Sequence, residues 1–168
     1  MKQGIIFDID GTIWDSSLPV TQSWNEVFSS MGLRKITVEE MKSVMGLDMD
    51  AIGKKIFSNT LPLDKQKEVM QLCTKHENEY LLQHPGSLFP GTVEAFEKLS
   101  NRYFLYIVTN AQSGYVESLL EGTGIGKYFS GHLAWGDNGY SKADNIKKTI
   151  IDNQLDQSFY IGDTPLDE

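Results

Sequence analysis

Three runs of consecutive apolar residues punctuate the chain, and each ends in polar groups. Gly4-Ile5-Ile6-Phe7 leads into Asp8-Ile9-Asp10-Gly11-Thr12. Phe104-Leu105-Tyr106-Ile107-Val108 leads into Thr109-Asn110, and Ser158-Phe159-Tyr160-Ile161 into Gly162-Asp163. Runs without alternation mark strands buried on both faces. His132-Leu133-Ala134-Trp135 reads as a shorter strand of the same kind. Between the runs the apolar spacing becomes helical. Val93, Phe96 and Leu99 mark one helix. Val116, Leu119 and Leu120 mark a second, stopping near Gly122-Thr123-Gly124. Ile146, Ile150 and Ile151 mark a third, behind a Ser141/Asp144 cap. Strands alternating with helices predict an α/β fold with a parallel sheet.

The stretch between the first two strands has a different pattern. Val20, Trp24, Val27, Phe28 and Met31 follow helical spacing and stop at Gly32. Thr37 and Glu40 form a capping box for a short helix carrying Met41, Val44 and Met45 to Gly46. Ile52, Ile56 and Phe57 predict a third helix. A fourth, capped by Asp64, would bury Val69, Leu72, Cys73, His76 and Tyr80 and end before Pro85-Gly86. Residues 15–85 therefore read as an all-helical cap inserted into an α/β core of residues 1–14 and 86–168. The expected joints are Asp15-Ser16-Ser17 and His84-Pro85-Gly86-Ser87. Such an insertion suits a lid that excludes water from a site.

Composition narrows the function. The chain has 168 residues, 40% of them hydrophobic, and a net charge of −8 with pI ≈ 4.9. That balance argues against nucleic acid or an anionic membrane as partner. A phosphorylated small molecule remains compatible, because a metal and a few local cations can reverse the field in one pocket. A single cysteine, Cys73, rules out an internal disulfide framework or cysteine-based zinc site. With no signal region or long apolar span, a cytoplasmic location is expected.

In a parallel sheet the polar ends of the strands gather at one edge, where such folds bind ligands. Asp8 and Asp10, two residues apart beside Thr12, suit covalent phosphoryl chemistry on an aspartate with a divalent cation. Alone, the same stretch reads equally as a surface Asp-Gly turn. Thr109-Asn110 alone reads as a turn, and Lys142 as a solvated lysine. The informative feature is their order on successive elements. His76, His84 and His132 lack metal-ligand spacing and read as surface or boundary residues. Lys54-Lys55 reads as a solvated helix face. Trp24, Met41, Met45 and Met49 read as packing within the insertion, and Gly46-Leu47 as a substrate-facing loop.

With these motifs in hand, the sequence resembles the haloacid dehalogenase superfamily of phosphohydrolases. The four motifs are Asp8-Ile9-Asp10-Gly11-Thr12, Thr109-Asn110, Lys142, and Gly162-Asp163-Thr164-Pro165-Leu166-Asp167. It is most similar to the phosphoglycolate phosphatase and β-phosphoglucomutase branch, which Phe89-Pro90-Gly91 also fits. The resemblance implies a Rossmann-like core and a Mg²⁺-dependent phosphatase for a small phosphorylated metabolite. Asp8 would be the nucleophile and Asp10 the general acid and base, its pKa tuned near the working pH. Thr109, Asn110 and Lys142 would bind the phosphoryl group. Asp8, the Asp10 carbonyl, Asp163 and Asp167 would hold the metal. The alternatives are a phosphosugar mutase with the same intermediate and a catalytically weak phosphate-binding or regulatory protein. A receiver-type domain needs neither the second aspartate nor the insertion. Two departures stand out. Ala143 follows Lys142 where the branch usually has proline, and the chain ends at Glu168, where the family continues with further elements. The resemblance thus implies a core truncated at its C-terminus.

Overall fold

The computed structural model describes residues 1–58 and 60–163. Its centre is a four-stranded parallel sheet. The strands β1 (Gln3–Phe7), β4 (Phe104–Thr109), β5 (Phe129–Ala134) and β6 (Gln157–Ile161) lie in the order β5-β4-β1-β6. The predicted α/β fold with a parallel sheet is thereby observed. β5 begins three residues earlier than its apolar signal, because Phe129 pairs with Leu105 across a register shift. The interiors of the central strands β1 and β4 are apolar and buried on both faces, and successive residues serve opposite layers. Ile5, Phe7, Leu105 and Ile107 pack on one side with Phe96, Val116 and Leu119 of α5 (Thr92–Leu99) and α6 (Tyr115–Thr123). Ile6, Tyr106 and Val108 pack on the other with Leu155 and with Ile146 and Ile150 of α8 (Lys142–Asp152). A short helix α7 (Trp135–Asn138) follows β5 directly. β6 departs from the expected burial on both faces: it lies at the sheet edge, with Phe159 and Ile161 exposed.

The helical segment lies between two short strands, β2 (Trp14–Asp15) and β3 (Ser87–Leu88), which pair antiparallel. Its two ends therefore leave the core side by side. Gly86 is needed there: a Cβ would lie 2.8 Å from both the Asp15 carbonyl oxygen and the Ser16 Cα. The segment comprises α1 (Ser17–Ser30), α2 (Val38–Lys42), α3 (Met49–Phe57) and α4 (Leu63–Gln83). The Thr37 capping box is formed as expected, with Thr37 accepting from the Glu40 amide and Glu40 accepting from the Thr37 amide. Asp64 does not cap α4. The helix begins two residues earlier than that cap implies, at Leu63 after Pro62, which leaves Asp64 in its first turn; a carboxylate there still favours the positive helix end.

The buried stripe of α4 also differs from the expected one. Leu72 is 44% exposed, and His76 and Tyr80 are only half-buried. The inward face carries Gln66, Val69, Met70, Cys73, Glu77 and Leu81. α4 packs on both α1 and α6, so the inward face is set by two neighbours. Cys73 is buried, as its helical context suggested. No described helix is long and apolar enough to cross a membrane.

Candidate active site

Asp8 follows the last residue of β1, and its amide still donates to the Ile161 carbonyl, 2.9 Å away, extending the β1–β6 ladder. Phe7 is level with Ile107 of β4 and Ile161 of β6. The residues just beyond, Asp8, Thr109 and Asp163, therefore emerge on one sheet edge. Asp8 and Thr109 are buried, and Asp163 is exposed. Lys142, the first residue of α8, brings its ammonium 2.7 Å from Asp8 Oδ2 in a largely buried pair. Four groups scattered over more than 150 positions of sequence thus meet at the ends of three strands and one helix.

Asp10 is held more tightly than its motif suggests. Its Oδ1 accepts from Trp14 Nε1 at 3.1 Å, Ser16 Oγ at 2.9 Å and Tyr115 Oη at 2.6 Å. The Ser16 and Tyr115 oxygens are themselves 2.8 Å apart. Some of Asp10 remains accessible, but its carboxyl is enclosed by these three side chains and by Asp8. Burial pushes its pKa up to about 6. The hydrogen bonds from Tyr115, Ser16 and Trp14 work against that rise, and the charge of Asp8 adds to it. A carboxyl poised there can both give and take a proton near neutral pH. Burial holds the Tyr115 phenol far above its ordinary value, which keeps it a donor to Asp10.

The loop after Asp10 depends on a glycine. Gly11 has φ +81°, and a Cβ on it would lie 2.1 Å from Asp163 Oδ2. Only a glycine lets Asp163 lie against the turn, where Thr12 Oγ1 donates to Asp163 Oδ1 at 3.3 Å. Among the described residues, no three His, Cys, Asp or Glu side chains converge on one point. The available donors are the carboxylates of Asp8 and Asp163 and the Asp10 carbonyl. This sparse, all-oxygen set fits Mg²⁺, which retains waters alongside one or two carboxylates. Asp167 lies outside the described residues.

The helical segment closes over this edge. The Asn110 side chain donates to the Gly46 carbonyl at 3.0 Å, bringing the turn after α2 onto the end of β4. A chamber of only ≈ 40 Å³ remains between Asp8, Asp10 and Thr109 below and Trp24, Met45 and Glu77 above. That is room for about one water molecule.

Glu77 has no counterpart among the expected site residues. It sits on α4, 3% exposed, and faces the aspartates. Trp24 Nε1 donates to its Oε2, and Gln112 Nε2 donates to Oε1 at 2.9 Å. Burial pushes its pKa up to about 7; those two hydrogen bonds oppose the rise, and the charge of Asp10 adds to it. A four-residue spacing through Val69, Cys73, Glu77 and Leu81 was the signal for its inward position. Tyr115 carried only a weak signal, as the residue opening the helix after the second motif.

The raised value of Glu77 has a consequence for stability. A carboxyl with a higher pKa folded than unfolded stabilises the fold fully below its unfolded value, 4.5, and loses that contribution as pH rises through about 7. The groups around it are Asp10, Tyr115, Trp24 and Gln112. Glu77→Gln is therefore expected to gain unfolding free energy relative to wild type as pH rises from about 5 to 8, by on the order of a few kcal/mol, on top of a pH-independent cost because one of the Trp24 and Gln112 donors then faces the amide nitrogen. Denaturation curves of the metal-free protein at the two pH values measure it. An equal loss of stability at both would contradict the assignment.

A parallel sheet that collects aspartates, a threonine and a lysine at its carboxyl edge, beneath a helical insertion, defines a class of α/β protein with a ligand site at the strand ends. The chain belongs to the haloacid dehalogenase-like hydrolase family, whose model matches residues 5–168. It is 25% identical over 166 residues to the phosphoglycolate phosphatase of Agrobacterium fabrum, covering 95% of this chain and 71% of that protein. It is 29% identical over 131 residues to the phosphoglycolate phosphatase of Vibrio parahaemolyticus, covering 74% of this chain and 58% of that one. The structure of a haloacid dehalogenase-like family hydrolase from Streptococcus pneumoniae superposes with a TM-score of 0.82 at 26% identity, over 99% of this chain and 78% of its own. The match therefore spans little more than half of the Vibrio relative.

Proposed function

We propose that this protein is a Mg²⁺-dependent phosphatase that hydrolyses a small phosphomonoester through an aspartyl phosphate on Asp8. The observation that carries the reading is the division of labour between the two aspartates. Asp8 is paired with Lys142, whereas Asp10 is clamped by three donors on one oxygen and has its pKa pushed up to about 6. A carboxylate beside a cation suits nucleophilic attack, and a carboxyl poised near neutrality suits proton transfer.

In the first step a carboxylate oxygen of Asp8 forms a bond to phosphorus, the bond from phosphorus to the ester oxygen breaks, and Asp10 protonates the departing alkoxide. In the second, Asp10 takes a proton from water as that water attacks the phosphorus, releasing inorganic phosphate and restoring Asp8. Lys142 offsets the negative charge of Asp8 and the phosphoryl oxygens. Thr109 and Asn110, at the end of β4, hydrogen-bond those oxygens. Bound Mg²⁺ would supply further charge stabilisation, held by Asp8, Asp163 and the Asp10 carbonyl, with Asp167 as a further ligand.

Residues 15–85 act as the cap. A chamber of ≈ 40 Å³ cannot hold an ester, so the insertion must swing at the β2–β3 joint to admit one and close again to exclude water. The names of the relatives favour a small phosphorylated metabolite as substrate, and the cytoplasm is the fitting location. Phosphate release from a panel of phosphomonoesters, with Mg²⁺ and with EDTA, tests the reading. Metal-dependent release is expected. Binding of phosphate without turnover of any ester would favour a regulatory role, and release only through a bisphosphosugar would favour a mutase.

A further inference from the structure

We propose that Glu77 is the specificity residue of this site, selecting short phosphomonoesters whose alcohol ends in an ammonium and turning away those that end in a carboxylate. The inference rests on the phosphatase reading of Asp8 and Asp10 and concerns what lies opposite them.

Charge in the chamber is one-sided. The helical insertion contributes apolar side chains, among them Met41, Met45 and Leu47, together with Trp24 and a single charged group, Glu77. Among the described residues, no lysine, arginine or histidine of the insertion lines the chamber; the cation at its floor is Lys142, 2.7 Å from Asp8 Oδ2. The lysines of the insertion that approach the core, Lys54, Lys67 and Lys75, line a separate cleft of ≈ 780 Å³ that shares only Met49 and Gln112 with the chamber. When the insertion closes again over a two- or three-carbon ester held at Asp8, the face it turns to Asp8 brings Glu77 and the apolar wall to the tail, not those lysines.

Glu77 is also fixed in place. Its two oxygens each receive one donor, Trp24 from α1 and Gln112 from the segment after β4. A carboxylate oxygen has two acceptor sites, so each retains one for a substrate donor. Gln112 also donates to Asn78 Oδ1 at 3.1 Å, and Asn78 donates to the Ser113 carbonyl at 2.8 Å. This stretch of α4 is thereby tied to the core. An acid so braced presents a preorganised acceptor. A substrate carboxylate brought against it would lose its water and face a like charge, a juxtaposition that costs several kcal/mol. An ammonium in the same place would gain a charge-assisted hydrogen bond and an aromatic neighbour in Trp24.

Three esters with the same two-carbon chain test this at pH 8, above the value of about 7 to which burial raises Glu77, so that its carboxylate is ionised: O-phosphoethanolamine, 2-hydroxyethyl phosphate and phosphoglycolate. Acetyl phosphate serves as a reference whose small acyl group carries no charge. Wild-type kcat/KM is expected to fall in that order, spanning about 100-fold. In Glu77→Gln the span should shrink to about threefold. If Glu77 only braced Trp24 and Gln112, its replacement would slow all esters together and leave the ratios among them intact.

A second measurement needs no variant. Wild-type turnover of acetyl phosphate should be inhibited at least about tenfold more strongly by 2-aminoethylphosphonate than by phosphonoacetate. Preference for phosphoglycolate or phosphonoacetate, or ratios unchanged in Glu77→Gln, overturns the proposal while leaving the phosphatase reading standing. Failure to release phosphate even from acetyl phosphate overturns both.

Discussion

Asp8→Asn is expected to lower the rate of phosphate release by about 10⁴-fold or more, since a carboxamide cannot form the aspartyl phosphate. The shape of the site should survive. Asparagine fills the same volume at the end of β1, and the backbone bond from residue 8 to Ile161 does not depend on the side chain. The loss should therefore fall on kcat rather than on folding. Single-turnover assays with a labelled phosphoryl group give a second readout: wild type should retain label on the protein after an acid quench, and the variant should not. An Asn variant that releases phosphate at the wild-type rate, or still traps label, would remove Asp8 from the role of nucleophile.

Asp10→Asn is expected to slow turnover by about 10²–10⁴-fold, the usual contribution of a positioned acid or base. Its effect should depend on the leaving group, which separates it from Asp8. An alkyl ester needs its leaving oxygen protonated; acetyl phosphate, with a much better leaving group, does not. Asp10→Asn should therefore still phosphorylate Asp8 from acetyl phosphate, then stall because no base activates water. The predicted signature is a stoichiometric burst followed by slow steady-state release. Asn at this position can still accept from Trp14, Ser16 and Tyr115 through its Oδ1, so the clamp should persist. Linear release without a burst, at a rate near wild type, would show that Asp10 carries no proton in either step.

Much of the architecture was legible because the two central strands, β1 and β4, are buried on both faces. Ile5-Ile6-Phe7 and Leu105 to Val108 had to be continuous apolar runs, and such runs stand out from helical spacing. The order of the motifs then placed Asp8, Thr109 and Asp163 at one sheet edge, since parallel strands all end on the same side. The structure brings these groups and Lys142 together there. Two local expectations failed. The cap position lies two residues before Asp64, at Pro62, whose fixed φ suits the residue before a helix. The inward face of α4 was misplaced because Leu72, His76 and Tyr80 also fall at helical spacing, and a helix with apolar residues on several faces has no unique inward side. Only contact with α1 and α6 settles which face is buried.

That ambiguity concealed Glu77, whose position was otherwise periodic. It also explains why the surroundings of Asp10 could not be foreseen. Trp14 and Ser16 are close in sequence, but Tyr115 lies 105 residues away, and nothing in the spacing of an aspartate motif specifies a phenol opposite it.

The sequence by itself determined the sheet, its direction and the identity of the groups at its carboxyl edge, because strand periodicity and motif order are local properties of the chain. The tertiary structure alone decided how the two aspartates differ. Burial, three donors on one oxygen and a neighbouring charge set the proton affinity of Asp10, and each comes from a residue placed by folding. It also decided that the insertion faces them with Glu77 rather than a cation. The rotation of a packed helix, and hence the charge it presents to a site, is fixed by its neighbours rather than by its own sequence.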